Sequence, residues 1–345
     1  MKAASIVAYR EPLVIGEVPD PEPGPTGVVL KVEATGVCHS DHHGWTGDDP
    51  YPPLPHVPGH EMVGTVAAVG SGVRRWRVGD RVTVPFSVGC GECGPCRKGW
   101  TNVCDVNFTP GFTAWGSFAE YVAIEYADGN LVALPDEISS VHGAALGCRF
   151  VTAYRALTAR GGVGEGTRVA VLGCGGVGLS AVMIGAALGA EVIAVDLDDA
   201  RLARATEFGA SRALNAGDGP VWEQIRDLTG GGVDVTIDAV GVPSVVRDAI
   251  LSLRKHGRHV QVGLLVGENA DPPVPMEAVI MRELEIVGSR GLPAADYPAV
   301  LDLIASGKVD PSRLVERTVD LEEGARILTE MGSYPGVGVT VIDRF

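Results

Sequence analysis

The sequence predicts an α/β fold of two domains, one built on a doubly wound parallel sheet and the other mainly on antiparallel strands. The chain of 345 residues is long enough to bury two cores. Strand and helix patterns alternate from residue 168 to about 288, which is typical of a parallel sheet covered on both faces. From residue 1 to about 36, apolar and polar positions alternate between Pro and Gly breaks, which favours antiparallel strands.

The composition is that of a globular protein, with 46% hydrophobic and 21% charged residues. A net charge of −15 argues against a nucleic-acid or anionic-membrane partner, because both require Lys and Arg. Residues 1–15 have the pattern of a first strand and no export signal, so a cytoplasmic location is expected. Residues 169–190 carry no charge, but six glycines interrupt them; this predicts a buried strand and a buried helix, not a membrane span.

The individual elements follow from these alternations and from the breaks between them. In the antiparallel region, strands are predicted at 28–34, 62–69, 78–84, 117–122, 131–135 and 337–342. The last of these is expected to rejoin the first domain. In the parallel region, strands are predicted at 168–172, 191–196, 233–239, 259–262 and 284–287. Helices are predicted at 244–255 and 294–306.

A thiol, several imidazoles and two carboxylates lie between residues 38 and 61, in a stretch otherwise poor in charge. Zinc accepts Cys sulfur and His nitrogen, and catalytic zinc sites typically take three protein ligands and keep the fourth position open. We therefore predict that Cys38 and His60 are two ligands of a catalytic zinc and that the third comes from far along the chain. In the alternative interpretation, Cys38 is a buried small hydrophobe and the histidines are ordinary surface or core residues.

Two polar residues follow Cys38 closely. Ser40 offers a hydroxyl two residues after the thiol, and Asp41 is placed to accept a hydrogen bond from the distal nitrogen of His60. Both residue types also favour turns and helix N-caps, and the two roles are compatible. The pattern does not choose between His42 and His43 as an essential residue.

Four cysteines follow with the spacing C-x2-C-x2-C-x7-C. They are Cys90, Cys93, Cys96 and Cys104. Four thiolates in one loop close a tetrahedral site and leave no open position, so the spacing predicts a structural zinc. An iron–sulfur cluster is the rival interpretation, but the fourth spacing differs from the bacterial ferredoxin pattern and nothing else indicates electron transfer.

A G-x-G-G-x-G motif lies between a predicted strand and a predicted helix, and an acid follows its last glycine by 18 residues, from 178 to 196. The motif consists of Gly173, Gly175, Gly176 and Gly178, and the acid is Asp196. This arrangement predicts a dinucleotide site, because the glycines let a pyrophosphate approach the helix N-terminus. Asp196 would accept bonds from both ribose hydroxyls and repel a 2′-phosphate, which favours NAD over NADP. Arg201 would lie beside the adenosine ribose or phosphate, or on a solvated helix face.

These motifs, together with G-H-E at 59–61 and Gly147-Cys148, resemble those of zinc-dependent alcohol dehydrogenases of the medium-chain dehydrogenase/reductase superfamily. The resemblance covers essentially the whole chain. It implies a mainly β, GroES-like catalytic domain and an NAD-binding Rossmann domain. The catalytic domain would span 1–149 and 289–345, with the structural-zinc lobe at about 88–106, and the Rossmann domain would span 150–288.

The resemblance also implies roles for individual residues. The catalytic zinc ligands would be Cys38, His60 and Cys148, with Glu61 able to ligate the metal transiently, which leaves only Cys174 of the seven cysteines without a role. The other catalytic residues would be Asp41 and the proton relay of Ser40 and His43. The cofactor-binding residues would be His39, Thr152, Gly173, Gly175, Gly176, Val177, Gly178, Asp196, Arg201, Val240, Val262 and Leu264. The substrate-pocket aromatics would be Trp45 and Phe86, whereas Trp115 would narrow the pocket or pack on the lobe.

The activity that the resemblance implies is reversible hydride transfer between a primary, secondary or aromatic alcohol and NAD. It also implies one catalytic and one structural zinc per chain, and a homo-oligomer, with a tetramer favoured over a dimer. One departure from the family is the tail at 336–341, which lacks the Arg that often contacts the pyrophosphate. The alternatives are a polyol or other specialised-alcohol dehydrogenase of the same superfamily and a non-catalytic zinc- and nucleotide-binding relative.

Overall fold

The structure, a computed structural model, describes residues 1–48, 52–332 and 336–345. The chain divides into two compact units. The first comprises Met1–Val151, Gly291–Asp302 and Asp310–Phe345, and the second comprises Thr152–Arg290 and Leu303–Val309. The sequence placed the domain boundaries about two residues earlier at both main crossings, and it assigned residues 303–309 to the first domain.

The strands and helices are numbered in chain order. The strands are β1 (Lys2–Ser5), β2 (Val14–Glu17), β3 (Val28–Val37), β4 (Met62–Val69), β5 (Arg81–Thr83), β6 (Tyr121–Ile124), β7 (Val132–Ala133), β8 (Arg168–Leu172), β9 (Glu191–Asp196), β10 (Arg212–Asn215), β11 (Val233–Asp238), β12 (Leu253–Gln261), β13 (Glu285–Gly288), β14 (Val315–Asp320) and β15 (Val339–Arg344). The α-helices are α1 (His39–Thr46), α2 (Gly94–Arg97), α3 (Ala127–Asn130), α4 (Ser140–Ala145), α5 (Val151–Arg155), α6 (Gly176–Ala187), α7 (Asp199–Glu207), α8 (Val221–Thr229), α9 (Pro243–Leu251), α10 (Met276–Arg282), α11 (Tyr297–Ala305) and α12 (Leu321–Glu330).

Shorter helical turns complete the list. Wider, π-type turns flank α5 at Leu146–Phe150 and Ala156–Arg160. Tighter, 3₁₀-type turns lie at Thr101–Val103, Ala216–Asp218, Gly267–Asn269, Ala294–Asp296 and Pro311–Leu314.

The first unit is built on a mainly antiparallel sheet with the strand order β14-β15-β3-β4-β5-β7, and β6 also pairs with β3. β3 is its centre, because Val28, Leu30 and Val32 are buried and pack with residues of β4, β5 and β6. β15 pairs antiparallel with β3, with Val341 opposite Gly36. The C-terminal strand therefore joins the first unit, as the sequence predicts, and β3 delivers the chain directly to Cys38.

The second unit is a six-stranded parallel sheet with the order β10-β9-β8-β11-β12-β13. In sequence order this is 3-2-1-4-5-6, the doubly wound order of a Rossmann fold. Helices connect successive strands, and the central strands are almost continuously apolar because both faces of the sheet are covered. The order reverses between β8 and β11, at whose carboxyl ends a ligand crevice is expected. The predicted α/β class and both predicted folds are confirmed.

Several predicted boundaries are wrong by a few residues. The helix predicted at 244–255 ends at Leu251, because Leu253 is buried opposite Val233 and already belongs to β12. The strand predicted at 117–122 begins only at Tyr121; before it, the extended chain makes an isolated bridge between Ala119 and Ala3.

The uncharged stretch at 169–190 forms β8 and α6, as the sequence predicts. Among the described residues, none of the helices has both the length and the apolar character needed to cross a membrane.

Candidate active site

Cys38 stands at the N-cap of α1, immediately after β3. Its backbone N–H donates to Oδ2 of Asp41 at 3.3 Å, and the backbone N–H of Asp41 donates in turn to the side chain of Cys38. This reciprocal cap satisfies backbone groups that would otherwise be unpaired at the start of the helix. Because the Asp41 side chain is buried, the cap also determines where its second oxygen points.

That second oxygen of Asp41 orients His60. Oδ1 lies 2.8 Å from Nδ1 of His60 and accepts a hydrogen bond from the backbone N–H of Gly59 at 2.9 Å. Gly59 has a φ of +103°, and a Cβ there would lie 2.5 Å from the ring of Phe118. Glycine is therefore required before His60. One carboxylate both caps α1 and holds the imidazole ring.

Cys148 reaches the same place from a distant segment. The backbone leaves helical geometry at Gly147, where φ is −37° and ψ is −132°. A Cβ at Gly147 would lie 2.5 Å from Cβ of Glu61, so the kink depends on the missing side chain. As a result, one potential ligand atom from each of four residues lies within 4.8 Å of the others: Cys38, His60, Glu61 and Cys148. We call these four residues the buried cluster.

The sequence did not reveal the partner of Glu61. The side chain of Arg149 donates through Nε to Oε1 of Glu61 at 3.0 Å and through Nη2 to Oε2, and its backbone N–H also donates to Oε1, at 3.1 Å. A third side-chain nitrogen, Nη1, donates to the carbonyl oxygen of Val37 at 3.1 Å. The only available signal was a positive charge next to Cys148, and spacing alone did not connect it with Glu61, 88 residues earlier.

The buried cluster shifts the proton affinities of its members. A hydrogen bond from Cys148 is the largest influence that holds the pKa of the Cys38 thiol well below its usual value. Burial would lower the pKa of His60, but Asp41 and Cys38 raise it well above the usual value. Burial raises the pKa of Glu61 to about 7, although Arg149 opposes this rise. A cation bound here would displace protons from these groups.

The residues of the buried cluster fit a zinc ion. Nε2 of His60 is buried and has no hydrogen-bond partner among the described atoms, whereas Nδ1 faces Asp41. This is the usual arrangement of a metal-binding histidine, whose distal N–H donates to a carboxylate and leaves the other nitrogen for the metal. Two thiols and a carboxylate beside that nitrogen complete a donor set typical of zinc.

The four lobe cysteines form a second group with ligand atoms within 4.8 Å of one another. The backbone N–H groups of Glu92 and Cys93 point at Sγ of Cys90, at 3.5 and 3.4 Å. These bonds lower the pKa of Cys90 to about 7, because hydrogen bonds stabilise a thiolate. Four converging sulfurs in one short loop fit a closed, tetrahedral metal site.

The three neighbouring histidines of α1 differ in their surroundings. Ser40 and His43 are three residues apart on α1 and therefore share one face, as a proton relay requires. The ring of His43 lies edge-on to that of His39 at 5.0 Å. His42 instead places Nδ1 at 2.8 Å from the carbonyl oxygen of Leu328 in α12. The His42 ring therefore links α1 to α12.

Aromatic rings flank His60. Phe86 lies edge-on with ring centroids 5.9 Å apart, and Phe112, which sequence reasoning missed, lies at 5.1 Å. Trp45 packs against His42 and donates its indole N–H to the carbonyl of Glu11. Trp115 remains 38% exposed. Of the three predicted pocket aromatics, Phe86 is the one whose ring contacts a described residue of the buried cluster, His60.

The glycine motif of the second unit connects β8 to α6. Gly173 has a φ of +93°, and a Cβ on Gly178 would lie 1.7 Å from the carbonyl oxygen of Gly173. The turn is therefore too tight for any larger residue at Gly178. Asp196, at the end of β9, accepts backbone N–H bonds from Cys174 at 2.6 Å and Asp198 at 3.0 Å. These bonds fix its carboxylate at the edge where the helix begins.

The other predicted cofactor residues, except His39 in α1, belong to the second unit. The hydroxyl of Thr152 is buried without a partner among the described atoms, and Arg201 packs near Asp198 at 4.0 Å. Val240 and Leu264, which are 44% and 50% exposed, follow β11 and β12 at the same edge of the sheet. Val177 lies in the first turn of α6, and Val262 follows β12 directly.

A buried polar chain supports that edge and was not foreseen. Thr236 Oγ1 lies 3.0 Å from Nδ1 of His259, whose Nε2 lies 3.0 Å from Oε1 of Gln261. The amide nitrogen of Gln261 donates to Asp238 at 3.0 Å, and Asp238 accepts the backbone N–H of Val240 at 2.7 Å. The chain thus braces the loop after β11 from inside the sheet.

Comparisons with known proteins agree with this geometry. Residues 24–136 match the alcohol dehydrogenase GroES-like domain, and residues 176–306 match the zinc-binding dehydrogenase family. The chain is 36% identical over 334 residues to an alcohol dehydrogenase of Geobacillus stearothermophilus, covering 96% of this chain and 95% of the relative. A sorbitol dehydrogenase of Bacillus subtilis (strain 168) is 34% identical over 329 residues, covering 94% of this chain and 91% of the relative.

A solved structure extends the comparison to the whole fold. A protein described as a short chain alcohol dehydrogenase from E. coli CFT073, complexed with the cofactor NADH, has a TM-score of 0.89 at 30% identity, and the match covers 99% of both chains. The zinc and nicotinamide cofactors expected from the sequence are those of this group of proteins. The chain belongs to the zinc-dependent alcohol dehydrogenase family of the medium-chain dehydrogenase/reductase superfamily.

Proposed function

We propose that the protein catalyses reversible hydride transfer between an alcohol and NAD, giving an aldehyde or a ketone. The observation that carries this proposal is the buried cluster, in which Asp41 holds the Nδ1 side of His60 and leaves Nε2 buried and unpartnered. An imidazole nitrogen kept free in this way beside two thiols suits a catalytic zinc with an open position.

In this proposal Cys38, His60 and Cys148 hold the zinc, and the lobe cysteines hold a second zinc. A zinc ion at the buried cluster supplies a Lewis acid that makes the alcohol hydroxyl more acidic. Glu61 would be free to approach the metal only by loosening its bonds to Arg149, which otherwise keep its negative charge compensated. Asp41 keeps the imidazole of His60 in one tautomer throughout.

The proton of the alcohol leaves along α1. Ser40 accepts it, and His43, on the same face of the helix, passes it to solvent. NAD supplies the hydride acceptor, and the protein's part is to bind and orient it. Asp196, held at the end of β9 by two backbone N–H groups, would accept hydrogen bonds from ribose hydroxyls. Its negative charge would repel a 2′-phosphate, so NAD is proposed over NADP.

Phe86 and Phe112 around His60 favour simple or aromatic alcohols, because their rings offer apolar contact beside the buried cluster. A polyol dehydrogenase is the second candidate, since one relative is a sorbitol dehydrogenase. Two zincs per chain, a homotetramer and a cytoplasmic location remain predictions from the sequence.

The testing experiment follows NADH absorbance with a panel of primary, secondary and aromatic alcohols and sorbitol, with NAD and NADP side by side. Elemental analysis counts zinc in the same preparation. We expect two zincs per chain and NAD-dependent turnover that is faster with apolar alcohols than with sorbitol. Fully active protein without zinc would overturn the proposal, and a preference for sorbitol would favour the polyol alternative.

A further inference from the structure

A cavity with a positively charged lining lies in the second unit, at the amino-terminal ends of the strands and therefore at the edge opposite the glycine motif. It has a volume of about 320 Å³, within the usual range for small-ligand pockets. Its charged lining consists of Arg168, Arg226, Arg254, Lys255 and Arg282, and no acidic residue lines it. In a chain of net charge −15, such a concentration of cations is unexpected. We call this cavity the cationic cavity.

Two of these arginines point at the same atom. Nη1 of Arg226 and Nη1 of Arg282 both donate to the carbonyl oxygen of Leu253 at 3.2 Å. Within the described parts of the chain, neither guanidinium has a carboxylate at ion-pair distance. Burial and the charge of Arg226 lower the pKa of Arg282. Nη1 of Arg282 also donates to the carbonyl oxygen of Leu251 at 2.9 Å. The two like charges therefore lie close together, and their acceptors in these bonds are neutral carbonyl oxygens.

The other cations are only partly compensated. Arg168 pairs with Glu191 at 3.3 Å, and Arg254 pairs with Asp234. Both carboxylates lie outside the lining of the cationic cavity. Lys255 is exposed and forms no ion pair with a described residue. Three cations of the cavity therefore have no carboxylate of the described chain within ion-pair distance.

A three-glycine turn forms one wall of the cavity. Gly230 and Gly231 have φ values of +68° and +141°, and a Cβ at either would meet no atom within 4 Å. The positive φ values favour glycine at both positions, and this wall of the cavity carries no side chain there. The concave shape and small volume suit a small ion better than a macromolecular surface.

We propose that the cationic cavity binds a small phosphate-bearing anion. Arginine presents planar, paired N–H donors that match phosphate oxygens bidentately, and Lys255 adds a flexible ammonium. An anion of charge near −2 would relieve the repulsion between Arg226 and Arg282 and give both groups a charged acceptor. The anion is either free inorganic phosphate or the phosphate group of a small ester.

The test uses full-length, zinc-loaded protein and isothermal titration calorimetry at constant ionic strength, with chloride as the balancing ion. Inorganic phosphate and glycerol phosphate are titrated in parallel. We expect saturable binding to the wild type and at least about tenfold weaker binding to the R226Q/R282Q variant, because charge-assisted hydrogen bonds are lost. The matched control is Arg212→Gln, an exposed arginine of the same unit whose side chain bonds only to a neighbouring carbonyl; its affinity should equal that of the wild type.

A tighter interaction with glycerol phosphate would identify an ester as the ligand, and equal affinities would identify free phosphate. Lys255→Gln is the second variant. The Lys255 side chain makes no hydrogen bond to a described carbonyl, so its replacement removes no such contact from the fold. It should weaken binding about threefold. The proposal is overturned if phosphate binds no more tightly than chloride, or if R226Q/R282Q retains wild-type affinity. Residual phosphate binding of equal strength in all variants would come from the glycine motif at the other edge of the sheet, and not from the cationic cavity.

Discussion

The two cysteine-containing groups of the first unit differ in how they are built. The lobe cysteines come from one stretch of 15 residues, 90 to 104, and half of them are only partly buried. The buried cluster draws on the residue after β3, the two residues before β4 and the kink after α4, and Arg149 meets Glu61 across 88 residues. The lobe is organised locally, whereas the buried cluster exists only when the sheet has formed.

This difference explains how each group is supported. In the lobe, backbone N–H groups of the same loop stabilise Cys90. In the buried cluster, side chains provide the support: Asp41 accepts a hydrogen bond from His60, and Arg149 compensates the negative charge of Glu61. A metal bound by the four lobe cysteines would have no open position and would support structure, whereas a metal held by Cys38, His60 and Cys148 would keep a fourth position for chemistry.

The largest effect should follow from His60→Ala. The variant removes the buried Nε2, a ligand of the proposed catalytic zinc, so turnover should fall by about 1000-fold or more, because a Lewis acid supplies several kcal/mol to the transition state. Steady-state kinetics and zinc analysis measure the two quantities together. Zinc should fall by one per chain while the lobe retains its metal. Wild-type turnover in a variant that lacks this zinc would refute the catalytic assignment.

Arg149→Leu should have the next largest effect. It leaves the Glu61 carboxylate buried without its partner, and the free energy of unfolding should fall by about 3–5 kcal/mol. Urea unfolding measures this loss. Arg204→Leu breaks an exposed pair with Glu207 and should cost less than about 1 kcal/mol. The double variant Arg149→Leu/Glu61→Gln should recover part of the loss; if it does not, the effect arises from packing rather than charge.

Cys93→Ala tests the lobe, where we expect stability to fall and turnover to stay nearly the same. Loss of one thiolate should release the lobe zinc and lower the free energy of unfolding by about 3 kcal/mol, with little change in turnover at low temperature. Thermal unfolding and kinetics at two temperatures separate these effects. If turnover collapses while stability is unchanged, the lobe has a direct part in catalysis and the contrast between the two groups disappears.

Asp41→Asn should have the smallest effect. Asn keeps the shape of the side chain but makes a weaker hydrogen bond to His60. Zinc affinity should fall by about 10–100-fold, as is typical when a residue that hydrogen-bonds to a metal ligand is changed. Competition with a chelator measures zinc release from each group. Release from the buried cluster should accelerate while release from the lobe is unchanged. Equal acceleration at both would mean that the variant merely loosens the unit.

Much of the fold could be predicted because it depends on local patterns. The alternation of strand and helix from β8 onward and the tight turn at Gly178 depend only on residues close in sequence. Boundaries were less accurate where burial overrides propensity: Leu253 leaves the predicted helix because it packs opposite Val233. The potential zinc ligands could be recognised by type, but the cationic partner of Glu61 could not, because Arg149 has no fixed spacing from it.

The sequence by itself determined the doubly wound unit, the four-cysteine loop and the glycine turn, because short-range spacing dictates their backbone geometry. Only the tertiary structure decided that Arg149 pairs with Glu61, and that Phe112 joins Phe86 beside the ring of His60. It likewise decided that Arg226 and Arg282 converge on one carbonyl. These contacts join segments far apart in the chain, and their distances depend on strand register and helix packing, which no local pattern specifies.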